Sequence, residues 1–167
     1  MQSFDIEKRV QQAIAYFNEG YNCAQSVFMA YADLFDYDPE AAKAISSSFG
    51  GGIGQLHETC GTVSAIAMLT GLRYPVSDPT DLTAKKINNN ITRNTIQHFT
   101  DNFGSIKCGE LLKRLPEMTS SPSAFTPKYE TKRPCGRFVE HAARLAGEML
   151  DKWRIESLSL STFHSQL

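Results

Sequence analysis

Residues 48–72, SFGGGIGQLHETCGTVSAIAMLTGL, decide how this chain folds. The glycines at 50–52 and 54 rule out a regular helix in the first half, so we predict a loop there. The second half has helical spacing, and Thr59 is placed to cap a helix that begins at Cys60 and runs to about Leu72. One face of this helix carries small residues that permit close helix contact, namely Ser64, Ala67 and Gly71.

The chain on both sides of this stretch has the same helical periodicity. Capping side chains, helix-starting prolines and terminal glycines divide it into segments. The start signals are Asn22, Asp38-Pro39 and Asp78-Pro79, and the stop signals are Gly20 and Gly104. The other predicted helices cover 4–18, 22 through 34, 39–48, 79–102, 108 to just before 116, and 134 or 135 to about 154. No segment alternates like a buried strand, so the predicted fold class is all-α, a compact bundle of about six or seven helices.

Two segments depart from this periodicity. Residues 116–134 hold four of the seven prolines and several serines, which predicts a long Pro/Ser-rich loop that could cover a site. Residues 156–167 alternate apolar and polar side chains, which is typical of a frayed end or a short extended segment on a partner. We therefore predict a single helical four-cysteine domain over 1–155 and a C-terminal tail over 156–167, the tail being a candidate homodimer interface.

The composition excludes several classes of protein. The chain has 167 residues, of which 41% are hydrophobic and 21% charged, and its formal net charge is -1. Such a charge disfavours non-specific nucleic-acid binding, and no apolar run is long enough to span a membrane. The first ten residues lack the apolar segment of a secretory signal, so we expect a cytoplasmic protein whose cysteines are reduced.

The four cysteines carry the chemical signal of the sequence. Each falls at or within the first turn of a predicted helix, where free N–H groups and the helix dipole stabilise a thiolate. Each begins an apolar or small-residue stripe, so we expect all four sulfurs to point inward. Glycine follows three of them, leaving steric room and backbone donors for a bound group. The cysteines are Cys23, Cys60, Cys108 and Cys135, and the glycines are Gly61, Gly109 and Gly136.

Spacing alone leaves the chemistry of these cysteines open, because no two lie close in sequence. Four thiolates suit an iron–sulfur cluster, which we favour, or a tetrahedral zinc site. With an iron–sulfur cluster, the protein would serve electron transfer or redox sensing, as an electron carrier or an oxidoreductase. Paired cysteines would instead support thiol–disulfide exchange, with Cys60 the expected reactive partner beside the open glycine loop. A structural or partner-binding helical module with inert cysteines is the remaining alternative.

Four segments together resemble a known family. They are GYNCAQSVF at 20–28, the stretch at 48–72, KCGELLKR at 107–114 and RPCGRFVEHAARLAGEML at 133–150. The resemblance, over about 8–152, is to the redox-active family named for its C–GCAxxG–C–C cysteine pattern. All four cysteines match, whereas Thr62 and Ala65 replace the family's alanine and second glycine. The resemblance implies redox activity or metal–sulfur binding and an unidentified redox partner, without a specific reaction.

Histidines and the glycine-rich loop offer further candidates. His57 lies three residues before Cys60, so it could bind metal or give a proton to a thiolate, although a surface loop position is the simpler interpretation. We expect His98 to be half-buried and His141 to face solvent. The glycines at 50–54 lack the GxGxxG spacing and the following Lys of a phosphate-binding loop, so we interpret them as a tight turn beside Cys60.

Overall fold

A computed structural model of the protein describes residues 3–118 and 135–164, with side chains for 3–114 and 135–152. Over these residues the chain forms seven α-helices and no strand, which confirms the all-α prediction. Two short 3-10 helices, Asp33–Phe35 and Ser47–Phe49, follow the second and third α-helices. The α-helices are α1 (Ile6–Glu19), α2 (Cys23–Ala32), α3 (Pro39–Ser46), α4 (Gly61–Arg73), α5 (Leu82–Phe103), α6 (Cys108–Met118) and α7 (Gly136–His164).

The first three helices begin and end within two residues of their predicted bounds. The Asn22 side chain accepts hydrogen bonds from two N–H groups at the start of α2, and Asp38 accepts one at the start of α3. Gly20 ends α1 with a φ of 112°, a value that favours glycine. Local hydrogen bonding therefore fixes these boundaries, which is why sequence alone finds them.

Two predicted capping residues are wrong, by one and three positions. Thr59 does not cap α4, because its backbone pairs with Lys107 in an isolated antiparallel bridge and Cys60 takes the N-cap position. Asp78 does not start α5, because its side chain accepts hydrogen bonds from Thr80 within a turn. Asp81 caps that helix instead, accepting from the N–H of Ala84.

Two predicted helix ends fall short of the observed ones. α6 passes through Pro116 and ends at Met118. α7 continues ten residues beyond Arg154 to His164, since neither glycine nor proline interrupts it there, so this part of the tail is helical rather than extended. Most of the predicted Pro/Ser-rich loop, residues 119–134, lies outside the described residues.

The second helix occupies the centre of the bundle, where α2 packs against α1, α3, α4 and α7. The α4 and α5 helices close the bundle against α7. Among the described helices, none is long and apolar enough to cross a lipid bilayer. The largest fully buried side chains of the core include Tyr31, Phe28, Phe99, Phe138, Ile66 and Leu69.

The starts of α2, α4 and α6 meet around the segment 50–58, which we call the glycine loop. The Cys60 N–H donates to the Ile106 carbonyl at 2.8 Å, and the Cys108 N–H donates to the Glu58 carbonyl at 2.6 Å. These bonds join the start of α4 and the end of the glycine loop to the segment that begins α6. The fold thus gathers three cysteine-bearing helix starts at one end of the bundle.

Candidate functional site

Cys23 is the first residue of α2, and a capping box fixes its position. The Asn22 side chain accepts from the N–H groups of Ala24 and Gln25, each at 3.0 Å, while Gln25 Oε1 accepts from the Asn22 N–H at 3.1 Å. Asn22 Nδ2 also donates to the Ser47 carbonyl at 2.7 Å. The helix start is therefore tied both to itself and to the segment that precedes the glycine loop.

Four donors surround the buried sulfur of Cys23. The Cys60 thiol donates a hydrogen bond to it, and the backbone N–H groups of Gly51, Ala24 and Gly61 point at the same atom. These bonds, the one from Cys60 first, outweigh the cost of burial and lower the pKa of Cys23 to about 6. These donors therefore favour the thiolate form of Cys23.

The pKa of Cys60 is shifted in the opposite direction, although this residue lies next to Cys23. Its pKa is raised because its thiol proton is held in the hydrogen bond to Cys23, and burial and the negative charge of Cys23 act in the same direction. Its sulfur also lies 3.2 Å from Thr62 Oγ1. Our sequence-based expectation that Cys60 is the reactive member of the pair stays a prediction, although the donors converge on Cys23.

The glycine loop follows a left-handed course beside the two cysteines. Residues 51–55 all have φ between 56° and 68°, and His57 has 59°. Each non-glycine residue held in this region costs about 1–2 kcal/mol, and Ile53, being β-branched, is especially disfavoured. The course is what aims the Gly51 N–H at the Cys23 sulfur. A Cβ on Gly52 would lie 2.7 Å from Cys108 Cβ, so the loop also packs tightly on the third cysteine.

Cys108 is buried at the first residue of α6 and faces His57. Its sulfur lies 3.7 Å from His57 Nδ1. Burial raises the pKa of the Cys108 thiol, and the negative charge of Cys23 raises it further. Cys108 is thus a neutral thiol at the edge of the Cys23–Cys60 pair.

Cys135 lies at the start of the last helix. It is half-buried against the core, and its carbonyl accepts from the N–H groups of Phe138 and Val139 at 3.0 and 3.1 Å. The structure describes all four cysteines, and none of them is in a disulfide.

The three predicted site glycines have different surroundings. The Gly61 N–H donates to the Cys23 sulfur, and a Cβ there would lie 2.7 Å from that sulfur. The Gly109 N–H donates to the His57 carbonyl at 3.0 Å rather than to a sulfur. Gly136 is buried as the first residue of α7.

The described residues do not form a metal-binding geometry. Within 3–114 and 135–152, no group of three or more His, Cys, Asp or Glu side chains is arranged to hold one metal ion. The close contacts are pairwise, Cys23 with Cys60 and Cys108 with His57. In the described ranges these side chains are arranged in two contacting pairs rather than as one set of three or more ligands.

Two histidine predictions are wrong. His98 is exposed rather than half-buried. His141 packs its ring against Phe99 and Phe103 instead of facing solvent, and burial lowers its pKa. The exposed position of His57 is as predicted, with the added contact to Cys108.

Two residues at this site escaped the sequence analysis. Gly51 donates to the Cys23 sulfur across 28 residues of sequence, and no local pattern signals such a contact. Thr62 was noted only as a replacement of the family's alanine, and that prediction is wrong: Gly61 is at the alanine position of GCAxxG and Thr62 is at a variable one. Its signal was its position two residues after a cysteine at a helix start, from which a hydroxyl can reach back to the sulfur.

A comparison with protein-family models identifies the chain. The family described as "Putative redox-active protein (C_GCAxxG_C_C)" matches residues 21–149, a span that includes all four cysteines. The chain belongs to this family. No curated protein and no solved structure matches it. Membership in the C_GCAxxG_C_C family confirms the resemblance seen in the sequence.

Proposed function

We propose that this protein is a dithiol–disulfide redox protein in which Cys23 and Cys60 cycle between two thiols and a disulfide. The observation that supports the proposal is the hydrogen bond from the Cys60 thiol to a Cys23 sulfur that three backbone N–H groups also surround. A thiolate is the nucleophile in thiol–disulfide exchange, and a second thiol beside it can complete the reaction.

The proposed reaction transfers two electrons. The Cys23 thiolate attacks one sulfur of a substrate disulfide, forms a mixed disulfide and releases the other sulfur as a thiolate, which takes up a proton. Cys60 then loses its proton and attacks the Cys23 sulfur. This step forms the Cys23–Cys60 disulfide and releases the second substrate thiol. A small thiol or a dithiol protein must reduce the disulfide to restart the cycle.

The cycle is consistent with a reducing compartment, so we propose a cytoplasmic location and a thiol-bearing redox partner. In such a compartment the reduced pair would be regenerated continuously.

A metal–sulfur centre, iron–sulfur or zinc, is the second candidate function. One observation favours it: Cys108 lies near enough to the pair to respond to the charge of Cys23, so a third thiol borders the site. The described side chains do not gather three ligands for one metal, which is why we rank this candidate below the dithiol reaction.

The decisive experiment combines metal analysis with disulfide mapping. Protein purified without oxygen is assayed for iron, zinc and sulfide, and then treated with oxidised glutathione. We expect no bound metal, loss of two of the four thiols, and a Cys23–Cys60 disulfide in peptides identified by mass spectrometry. The variant Cys60→Ser should stop at a glutathione adduct on Cys23, whereas Cys108→Ser should form the disulfide normally.

Three results would contradict the dithiol proposal. Iron with matching sulfide, or tightly bound zinc, would support the metal–sulfur candidate. A disulfide that excludes Cys23 would show that its donors do not select the nucleophile. The same conclusion would follow if the Cys23→Ser variant still lost as many thiols to oxidised glutathione as the wild type.

A further inference from the structure

We propose that Thr62 is a positioning residue that sets the redox equilibrium of the Cys23–Cys60 pair by donating its hydroxyl hydrogen bond to the Cys60 sulfur. The inference rests on the proposed dithiol function and assigns it a residue beside the cysteine pair.

The geometry around Thr62 leaves its hydroxyl directed at the sulfur. The side chain is fully buried, and Oγ1 lies 3.2 Å from Cys60 Sγ. Other threonines of the bundle donate to the carbonyl four residues earlier, namely Thr70, Thr92, Thr95 and Thr100.

At Thr62 the corresponding carbonyl lies outside the helix. The carbonyl four residues earlier belongs to Glu58 and lies before α4 begins, where it accepts the Cys108 N–H at 2.6 Å. A buried hydroxyl is normally satisfied as a donor, and the sulfur is the partner present among the described residues.

In the reduced protein the bond is part of a chain. The Thr62 hydroxyl donates to the Cys60 sulfur, and the Cys60 thiol donates in turn to the Cys23 thiolate. Successive hydrogen bonds polarise one another, so the hydroxyl helps to stabilise the negative charge on Cys23. In the disulfide the thiol proton and the charge are both gone, and a neutral disulfide sulfur is a weak acceptor. Thr62 therefore stabilises the dithiol more than the disulfide.

The measurable quantity is the equilibrium of the protein with glutathione. One oxidised glutathione accepts two electrons from the dithiol, so that one S–S bond forms between Cys23 and Cys60 while another breaks. The two protein thiol protons are balanced by the two glutathione thiols formed. Removing the Thr62 hydroxyl should shift this equilibrium toward the protein disulfide.

The test compares four variants in defined mixtures of reduced and oxidised glutathione, with thiols quantified by mass spectrometry. For Thr62→Val and Thr62→Ala we expect an equilibrium constant for disulfide formation about fivefold higher, which corresponds to a potential about 20 mV more negative. Thr62→Ser keeps the hydroxyl and should stay within about twofold of wild type. The matched control is Thr70→Val on the same helix, whose buried hydroxyl donates to the Ile66 carbonyl at 2.9 Å. It should leave the equilibrium unchanged even though it lowers stability.

Two variants that lack the hydroxyl are used in case one of them fails to fold. Thr62→Ala cannot overpack the site, whereas Thr62→Val could. Equal equilibrium constants for wild type, Thr62→Ala and any folded Thr62→Val, with a normal Cys23–Cys60 disulfide, would overturn the role of Thr62 and leave the dithiol function intact. An equal shift in Thr70→Val would also overturn it, by showing a general packing effect. Failure of the wild type to form the Cys23–Cys60 disulfide would overturn both.

Discussion

The sulfur of Cys23 differs from an ordinary buried thiol because four donors from three separate parts of the chain surround it. One N–H belongs to its own helix, one to the start of α4 and one to the glycine loop, and the fourth donor is the Cys60 thiol. Burial without such donors raises the pKa of a thiol, as it does at Cys108. The contrast between Cys23 and Cys108 shows that the hydrogen bonds, rather than burial, distinguish the thiolate.

A pH titration of the reduced protein tests this distinction. Because the pKa of Cys23 is about 6, the ultraviolet absorbance of a thiolate should rise with a midpoint near that pH, well below the usual range of cysteine. Cys23→Ser should lose this transition and Cys60→Ala should move it to higher pH, because the principal donor is gone. Cys135→Ser is the control and should retain it. A wild-type protein with no thiolate absorbance at neutral pH would contradict the assignment.

At this scale the sequence predicts the helix-start positions of the cysteines but not the division of roles between them. Helix starts depend on neighbours in sequence, such as Asn22 before Cys23, and are therefore visible in it. The choice between Cys23 and Cys60 depends on the Gly51 N–H and on the direction of the Cys60 thiol. Both depend on the folded loop.

At the scale of the element, the start of α4 combines close packing with helix formation. Gly61 is buried as the first residue of the helix, and a Cβ there would lie 2.7 Å from both Cys23 Sγ and the Phe49 carbonyl oxygen. The Phe49 carbonyl oxygen belongs to the backbone, so it cannot relieve such a clash by changing rotamer as a side chain can. Gly71 lies near the other end of the same helix, where a Cβ would meet nothing within 4 Å.

These two glycines form a matched pair of substitutions. Gly61→Ala should lower the free energy of unfolding by about 1–3 kcal/mol, because the methyl group overpacks against Cys23 and Phe49. Gly71→Ala should raise it by about 0.5–1 kcal/mol, because alanine is the better helix former in open space. Urea unfolding of both variants provides the measurement. Similar effects of the two substitutions would show that close approach at Cys23 does not constrain Gly61.

The two helix caps that we predicted wrongly have different causes. One is a choice between two equivalent capping residues, and the other is a long-range pairing. Asp78 and Asp81 can both cap a helix, and the turn made by Asp78 with Thr80 settles the choice in favour of Asp81. Thr59 is displaced as a cap by its pairing with Lys107, which lies 48 residues away. Long-range pairing of this kind has no local signal in the sequence.

At the scale of the whole molecule, Tyr31 links three helices. From the last turn of α2, its hydroxyl donates to the Ala143 carbonyl of α7 at 2.8 Å. A Cβ on Gly147 would lie 2.6 Å from that hydroxyl oxygen and 2.9 Å from Ile6 Cγ2 of α1. Burial raises the pKa of Tyr31, since an ionised phenol would be poorly solvated there.

The pH dependence of global stability should reveal this residue. Because its pKa is raised on folding, the stabilisation is present below the unfolded value of about 10 and is lost as pH rises above it. Tyr31→Phe should cost about 1 kcal/mol at neutral pH through the lost hydrogen bond, and its stability should fall less above pH of about 10 than that of wild type. Chemical unfolding across alkaline pH measures both effects.

The control for this measurement is Tyr37→Phe, which alters a half-buried tyrosine packed edge-on against Phe28. Its loss of stability in alkali should parallel that of wild type. If the stability of Tyr31→Phe in alkali also fell in parallel with that of wild type, Tyr31 would be excluded as the source of the alkaline instability.

The backbone of the glycine loop has a handedness that encoded amino acids, other than glycine, do not favour. A φ near +60° is the mirror image of the right-handed helical value, so residues 51–55 occupy the conformation that D-amino acids prefer. Ribosomal synthesis supplies no D-residues, and glycine, which is achiral, is the closest encoded substitute. Three of these five positions are glycine, while Ile53 and Gln55 adopt this conformation against their own chirality.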